Sequence, residues 1–188
     1  MSSEKTRSSL LFSALELWKE TKPEIHMKIK TEGSSMSPLI RAGDIISLRF
    51  AGFKHLKKGD IIAFRKDENL IVHRLLKKRR VNGKGWLCQQ GDNLSGRSWI
   101  PEEKLLGKVE SIQSTGRTLN MARWPWTWIN PTLGFTVSFW TTVQENMRAL
   151  KILIFGHQPV PVLSGLNKGL SKIINRMYIF IVMKAMAR

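Results

Sequence analysis

The chain has 188 residues, a length that suits one domain, or one domain with an appendage, and we expect no second catalytic domain. Lysine and arginine outnumber the acids by 31 to 14, and the net charge of +17 predicts attraction to a polyanion, either nucleic acid or an anionic membrane. The single cysteine, Cys88, excludes an internal disulfide, and we expect it to lie in a buried strand.

Residues 1–22 predict an amphipathic helix. Ser8 or Ser9 can cap a helix that runs to about Thr21, and Pro23 stops it. We expect one broad apolar face to pack on the domain or on a membrane surface; it consists of Leu10, Leu11, Ala14, Leu15, Leu17 and Trp18. The apolar run is too short for a signal-peptide core or a membrane span, so we expect no cleavable export signal.

Residues 23–120 predict a mainly β domain with roughly seven short strands. Apolar and polar residues alternate from Ile25 to Lys30, which is typical of a half-buried strand and turns His26 outward. Two Gly-Asp turns, ending at Asp44 and Asp60, each open an apolar strand, and we interpret both acids as turn residues bonded to local backbone. Further strands are predicted over 70–77, 86–90 and 105–113.

Residues 121–188 predict a basic, Trp-rich helical region. Apolar stretches over 133–143 and 177–183 predict helices, and both are shorter than the roughly 20 apolar residues that a span requires. Two arrangements are open: amphipathic helices on a membrane or on the β domain, or a buried helical hairpin. Basic residues mixed with Trp, Phe, Ile and Leu favour the lipid interface, so we expect a membrane-associated protein, peripheral or monotopic, without a nucleic-acid partner.

One stretch, residues 33–38 (Gly-Ser-Ser-Met-Ser-Pro), contains a candidate catalytic serine. A serine hydroxyl becomes an effective nucleophile when a base removes its proton and a third group orients that base. His73 and Asp92 follow Ser35 along the chain and supply both types of group. Each of the three is, taken alone, typical of a structural position: a turn serine, a strand histidine and a hairpin acid. Their combination predicts a catalytic site.

Four sequence blocks occur in a fixed order: Gly-Ser-Ser-Met-Ser-Pro with Gly-Asp, then Gly-Asp-Ile-Ile-Ala-Phe, Ile-Val-His-Arg-Leu-Leu and Gln-Gly-Asp-Asn. This order resembles the type I signal peptidases over about residues 32–110, and specifically their archaeal and endoplasmic-reticulum branch, in which histidine replaces the bacterial lysine as base. The resemblance implies a signal-peptidase/LexA-like β catalytic domain. It also implies a serine endopeptidase that cleaves a peptide or precursor protein, after small side chains, at a membrane surface.

Residue by residue, the resemblance implies that Ser35 is the nucleophile, His73 the general base and Asp92 the acid that orients or stabilises the imidazolium. The backbone N–H of Ser35 is a natural oxyanion donor. Ser34, Met36 and Pro38 are the implied oxyanion or substrate-binding neighbours. The chain departs from the family at two positions: Gly33 stands where some relatives place a second donor serine, and Ser98 stands where the eukaryotic branch places a second acid.

Two other classes of protein can be compared with this prediction. The self-cleaving LexA-type repressor proteases have a similar β scaffold, but they pair serine with lysine and carry a DNA-binding domain, and no helix-turn-helix fits ahead of Glu24. The alternative to an enzyme is a basic adaptor that binds anionic membrane or nucleic acid through its C-terminal region. We expect no metal or cofactor, because the four histidines are scattered, Cys88 stands alone and no phosphate loop is present.

Overall fold

The computed structural model describes residues 13–15, 17, 18, 21, 26–94, 96–156 and 176–185. Eight strands occupy residues 26–120, a helix follows, and residues 176–185 are helical. The strands are β1 His26–Lys30, β2 Ile45–Phe50, β3 Ile61–Lys66, β4 Asn69–Val81, β5 Lys84–Gln90, β6 Ser98–Pro101, β7 Leu105–Ser114 and β8 Arg117–Asn120. Two single-turn 3-10 helices span Phe53–His55 and Glu102–Lys104, and helix α1 spans Trp126–Phe155. The predicted mainly β fold class is confirmed.

The strands form one antiparallel sheet in the order β1-β2-β7-β3-β4-β5-β6, with β8 paired to β7. β1 and β6 are therefore the ends of this path. Strand β6 was not predicted, because four residues ending in Pro101 give a weak strand pattern. Strand β4 is longer than predicted: it continues through four consecutive bases to Val81 before the turn to β5.

Apolar side chains cover both faces of the sheet. On one face, Trp126 and Leu133 of α1 pack with Tyr178 and Val182 of the C-terminal helical segment against the strands. The strand residues in that cluster include Ile61, Val109 and Ile112. On the other face, β3, β4 and β5 supply a second cluster, which includes Ile62, Phe64, Leu75 and Leu87. Successive residues of β3 thus point to opposite faces, as the period of a strand requires.

The N-terminal helical residues make one clear contact with the sheet. Leu15 is buried against Leu48, Ala63 and Leu106, so this part of the predicted apolar face packs on the domain. Leu17 and Trp18 are exposed. The start of the predicted helix, with Leu10 and Leu11, lies outside the described residues.

Helix α1 crosses the sheet by a close approach between two glycines. A Cβ on Gly59 would lie 2.3 Å from the Asn130 carbonyl oxygen, and one on Gly134 would lie 2.8 Å from the Gly59 Cα. Gly59 also has a φ of +93°, which glycine adopts without strain. At 30 residues the helix extends beyond the apolar stretch that predicted it. Within the described ranges, no helix is both long and apolar enough for a membrane span.

Candidate active site

The loop that carries Ser35 connects β1 to β2 and is fixed at both ends. At its base, the Thr31 N–H donates to the Asp44 carbonyl oxygen at 2.8 Å, and the Gly43 N–H donates to the Thr31 carbonyl oxygen at 2.7 Å. Beyond the serine, Met36 is only 3% exposed and packs with Leu39 and Ile40 in the core below α1. Ser35 itself is half-buried, so the loop holds it at the rim of the core where a substrate can reach it.

The acids of the two Gly-Asp turns have the structural roles that the sequence predicted. Asp44 Oδ2 accepts from the Arg41 N–H at 2.8 Å, and Asp60 Oδ2 accepts from the Lys57 N–H at 2.7 Å. Each carboxylate closes its own turn.

Gly91 is the point at which Ser35 and His73 meet. A Cβ on Gly91 would lie 2.7 Å from the Ser35 carbonyl oxygen and 3.0 Å from His73 Nε2. The next loop residue but one, Asn93, donates its backbone N–H to the same Ser35 carbonyl oxygen at 2.8 Å. The Gln-Gly-Asp-Asn stretch is therefore bonded to the serine loop, and the Nε2 edge of the imidazole lies beside the Ser35 backbone.

His73 Nε2 lies close to the Ser35 backbone, but the two side chains are not hydrogen-bonded to each other. Both residues are well inside the described part of the chain, and no hydrogen bond joins Ser35 Oγ to His73 Nε2. Such bonds are often long in free enzymes and shorten in the substrate complex, so the arrangement is compatible with proton transfer.

His73 is half-buried in the middle of β4. Its Nδ1 lies 2.5 Å from Gln89 Oε1, and its ring meets Phe64 edge-on at a centroid distance of 5.9 Å. Burial lowers the pKa of His73 below its ordinary value, while the Gln89 hydrogen bond and the Asp92 charge partly oppose that shift and Lys66 adds to it. The imidazole is therefore neutral at pH 7, the form that can accept a proton from serine.

Asp92 has a different partner from the one implied by the resemblance. Its Oδ1 accepts from Arg74 Nε at 2.8 Å and its Oδ2 from Arg74 Nη2 at 2.6 Å, and both side chains are fully buried. The Tyr178 hydroxyl also donates to Oδ2. Asp92 therefore does not orient the imidazole by a hydrogen bond, because the group bonded to His73 Nδ1 is Gln89. The other predicted role of Asp92, stabilisation of the imidazolium, stays a prediction. What remains to Asp92 is its charge, which favours the protonated imidazole from a distance.

Tyr178 reaches the site from the C-terminal helical segment. Burial and the Asp92 charge raise the pKa of its phenol above the ordinary value, so the hydroxyl stays protonated and serves as a donor. Arg74 continues the network toward α1, because its Nη1 donates to Asn130 Oδ1 at 3.0 Å and to the Gly59 carbonyl oxygen at 2.9 Å. One buried guanidinium therefore connects the Asp92 loop, the Gly59 turn and the helix.

The three predicted neighbours of the nucleophile lie in different settings. Ser34 is exposed, and its carbonyl oxygen accepts from the Ser37 N–H at 3.0 Å. Met36 is a core residue that also lines the cleft described below. Pro38 is half-buried after a cis Ser37–Pro38 bond and is outside the cleft lining. No described residue accepts a hydrogen bond from the Ser35 N–H, so this group can donate to the carbonyl oxygen of a substrate.

A cleft of about 580 Å³ opens beside Ser35, between the end of β1 and the start of β4. Its floor is apolar and its rim polar, a composition typical of ligand sites. The floor includes Ile29, Ile40, Ile46 and Val72, and the rim includes Glu32 and Glu68. Across the described residues, no group of three or more His, Cys, Asp or Glu side chains is placed to hold a metal ion.

Residues 4–88 match the family described as Peptidase S24-like. This Peptidase S24-like match contains Ser35 and His73 and ends before Asp92. It indicates a serine peptidase-type function, and together with the eight-stranded antiparallel sheet it supports the predicted LexA/signal-peptidase-like β fold. No curated protein matches the chain.

Several residues of the site were not predicted from the sequence, namely Gln89, Asn93, Arg74 and Tyr178. Arg74 had a usable signal, because a charged residue inside the apolar strand Ile-Val-His-Arg-Leu-Leu requires a buried partner. Gln89 and Tyr178 had none, since their roles depend on strand register and on a contact between residues 86 positions apart.

Proposed function

We propose that this protein is a serine endopeptidase of the signal-peptidase type, with Ser35 as nucleophile and His73 as general base. The observation that carries the proposal is the meeting at Gly91, where His73 Nε2 and the Ser35 backbone approach the same point. The Peptidase S24-like match over both residues supports it independently. The choice of histidine rather than lysine as base is supported by a neutral, half-buried imidazole at the place where the base is needed.

The reaction follows from the chemistry of these groups. His73 Nε2 takes the Ser35 hydroxyl proton while Oγ attacks the scissile carbonyl carbon, and the new oxyanion accepts the Ser35 backbone N–H. The imidazolium then gives its proton to the leaving amine as the C–N bond breaks, which leaves an acyl-enzyme. Water, deprotonated by the same imidazole, attacks the acyl carbon, and the acid product leaves as the bond to Oγ breaks. The imidazolium then returns its proton to Ser35 Oγ.

The substrate is proposed to bind as an extended chain along the cleft beside Ser35. β1 is at one end of the sheet, so its outer backbone groups can pair with an added strand, and main-chain pairing gives affinity without demanding a particular sequence. The apolar cleft floor would accept side chains of the substrate on one side of that strand. Small residues before the scissile bond follow from the resemblance to signal peptidases.

The proposed site of action is an anionic membrane surface, with the protein peripheral or monotopic. Helix α1 exposes a stripe of aromatic residues, in which Trp128 is 75% exposed and Phe135 stacks on Phe139. Leu153, near the helix end, is 82% exposed. Aromatic and aliphatic side chains of this kind, on a chain with a net charge of +17, suit a lipid interface with negative headgroups.

The proposal is tested by cleavage of a short Ala-rich reporter peptide. Ser35→Ala is expected to lose cleavage by at least ~10³-fold while it keeps vesicle binding. Ser37→Ala is the matched control in the same loop and is expected to keep its activity. Equal cleavage by wild type and Ser35→Ala, with vesicle binding intact in both, would instead favour the non-enzymatic adaptor.

A further inference from the structure

We infer that Gln89, supported by Ser98, is the positioning residue of His73 and takes the place that an acid occupies in a Ser-His-Asp site. This inference rests on the proposed peptidase function and names the group that prepares its base. The contacts form a chain: His73 Nδ1 faces Gln89 Oε1 at 2.5 Å, and Gln89 Nε2 donates to Ser98 Oγ at 2.5 Å.

The chemistry of the amide fixes the histidine tautomer. An amide oxygen accepts hydrogen bonds and cannot donate them, so the imidazole nitrogen that faces Gln89 Oε1 must carry the proton. The other nitrogen, Nε2, then has a free lone pair and points toward Gly91 and the Ser35 backbone. This is the tautomer that a general base needs. The Ser98 hydroxyl accepts from Gln89 Nε2 and so anchors the other end of the amide.

The fold places Gln89 in this position through a β-bulge. At the hairpin end of β4 and β5, Val81 pairs with Lys84 and Lys77 with Cys88, a register that would bring Gln90 opposite Leu75. The bulge between Leu75 and Lys77 brings Gln89 there instead. Because residues 73 and 75 share a face of β4, Gln89 lies diagonally across from His73 on that face.

Gln89 is only 4% exposed, so water does not compete for its amide. Among the described groups that shift the pKa of His73, Asp92 is the one acid. Both of its carboxylate oxygens already accept hydrogen bonds from Arg74 or Tyr178. The remaining charged group acting on the ring is Lys66, which disfavours the imidazolium. The base is therefore held by a neutral group, and its pKa is not raised by a bonded carboxylate. Cysteine peptidases with a Cys-His-Asn arrangement show that a neutral amide can orient a catalytic imidazole.

The experiment uses the full-length protein labelled with ¹⁵N-histidine. His73→Ala identifies the His73 resonances among the four histidines, and the nitrogen shifts then report tautomer and pKa. In wild type we expect the Nδ1–H tautomer. Gln89→Glu is expected to raise the His73 pKa by at least ~1 unit, and the acid limb of kcat/KM on the reporter peptide should move with it. Gln113→Glu, an exposed amide on β7, is the charge-matched control and should move neither.

A second variant tests the same assignment if the buried glutamate of Gln89→Glu prevents folding. Gln89→Met has a similar volume and replaces the amide oxygen by a much weaker acceptor, so the Nδ1–H tautomer should lose population and kcat should fall at least ~10-fold. A wild-type Nε2–H tautomer, or an unchanged tautomer in a folded Gln89→Met protein, overturns the assignment of Gln89. Loss of the proposed function would look different: the nitrogen shifts would respond to Gln89 as expected, and neither wild type nor any variant would cleave the reporter.

Discussion

Arg74 and Asp92 form a bidentate ion pair in which both side chains are fully buried, with nitrogen–oxygen distances of 2.8 and 2.6 Å. The pair lies directly beside the proposed catalytic residues, because Arg74 follows His73 and Asp92 follows Gly91. Neighbouring residues of β4 point to opposite faces, so His73 turns to Gln89 while Arg74 turns to α1. The proposed base and the ion pair are thus separated by the sheet and connected by its backbone.

The buried ion pair predicts that replacing Asp92 lowers the stability of the fold. Asp92→Asn leaves the Arg74 charge buried without its counter-ion, and the free energy of unfolding should fall by about 3–5 kcal/mol. Urea denaturation measures the change, with Asp67→Asn at the exposed β3–β4 turn as the control. A variant as stable as wild type that has lost all cleavage would show that Asp92 acts directly on the reaction.

The lowered pKa of His73 predicts the pH at which activity falls on the acid side of the pH profile. A general base must be neutral, so cleavage is lost as pH falls through the His73 pKa, which lies below the ordinary value of 6.5. We therefore expect the acid-limb midpoint of kcat/KM for the reporter peptide to lie below pH 6.5. An acid-limb midpoint at or above 6.5 would contradict the environment described for this imidazole.

Tyr178 predicts that the C-terminal helical segment stabilises the β domain through one hydroxyl. Tyr178→Phe removes the donor to Asp92 Oδ2 without changing the packing of the ring, and the expected cost is about 1.5–3 kcal/mol of unfolding free energy. Hydrogen exchange should also become faster in residues 176–185. Met177→Leu, at an exposed position next to it, is the control; equal exchange in both variants would contradict the contact.

The exposed aromatic stripe of α1 predicts lipid binding. Replacing Trp128, Phe135 and Phe139 together by alanine should weaken partition into anionic vesicles by at least ~10-fold, because each side chain loses burial in the interface. Cleavage of a soluble reporter should be unchanged. The triple control Thr127→Ala, Thr136→Ala and Asn146→Ala changes exposed polar positions of the same helix. If both triples bind vesicles like wild type, the membrane surface lies elsewhere.

The sequence predicted the parts of the fold that local patterns determine. Strand β2 was predicted to follow the Gly-Asp turn that ends at Asp44, and it begins at the next residue, Ile45. Cys88 was correctly placed in a buried strand. β6 was missed, since a four-residue strand at the end of the sheet has too few residues for a visible alternation.

The candidate site was predictable only as far as residue type and order allow. Ser35 and His73 occur in recognisable blocks, and the structure brings them to Gly91. The partner of His73 was not predictable, because one extra residue at the β4 bulge decides whether residue 89 or 90 faces the imidazole. Tyr178, one of the two partners of Asp92, was not predictable either, because it is distant along the chain and no local pattern marks the contact.

The most direct test of the account is a double-mutant cycle on Ser35 and His73, read as kcat/KM for the Ala-rich reporter peptide. Two groups that act as one unit are non-additive, so Ser35→Ala and His73→Ala should each lose at least ~10³-fold, and the double variant should lose no more than either single variant. Losses that multiply in the double variant, or wild-type cleavage by either single variant, would contradict a nucleophile and a base that work together.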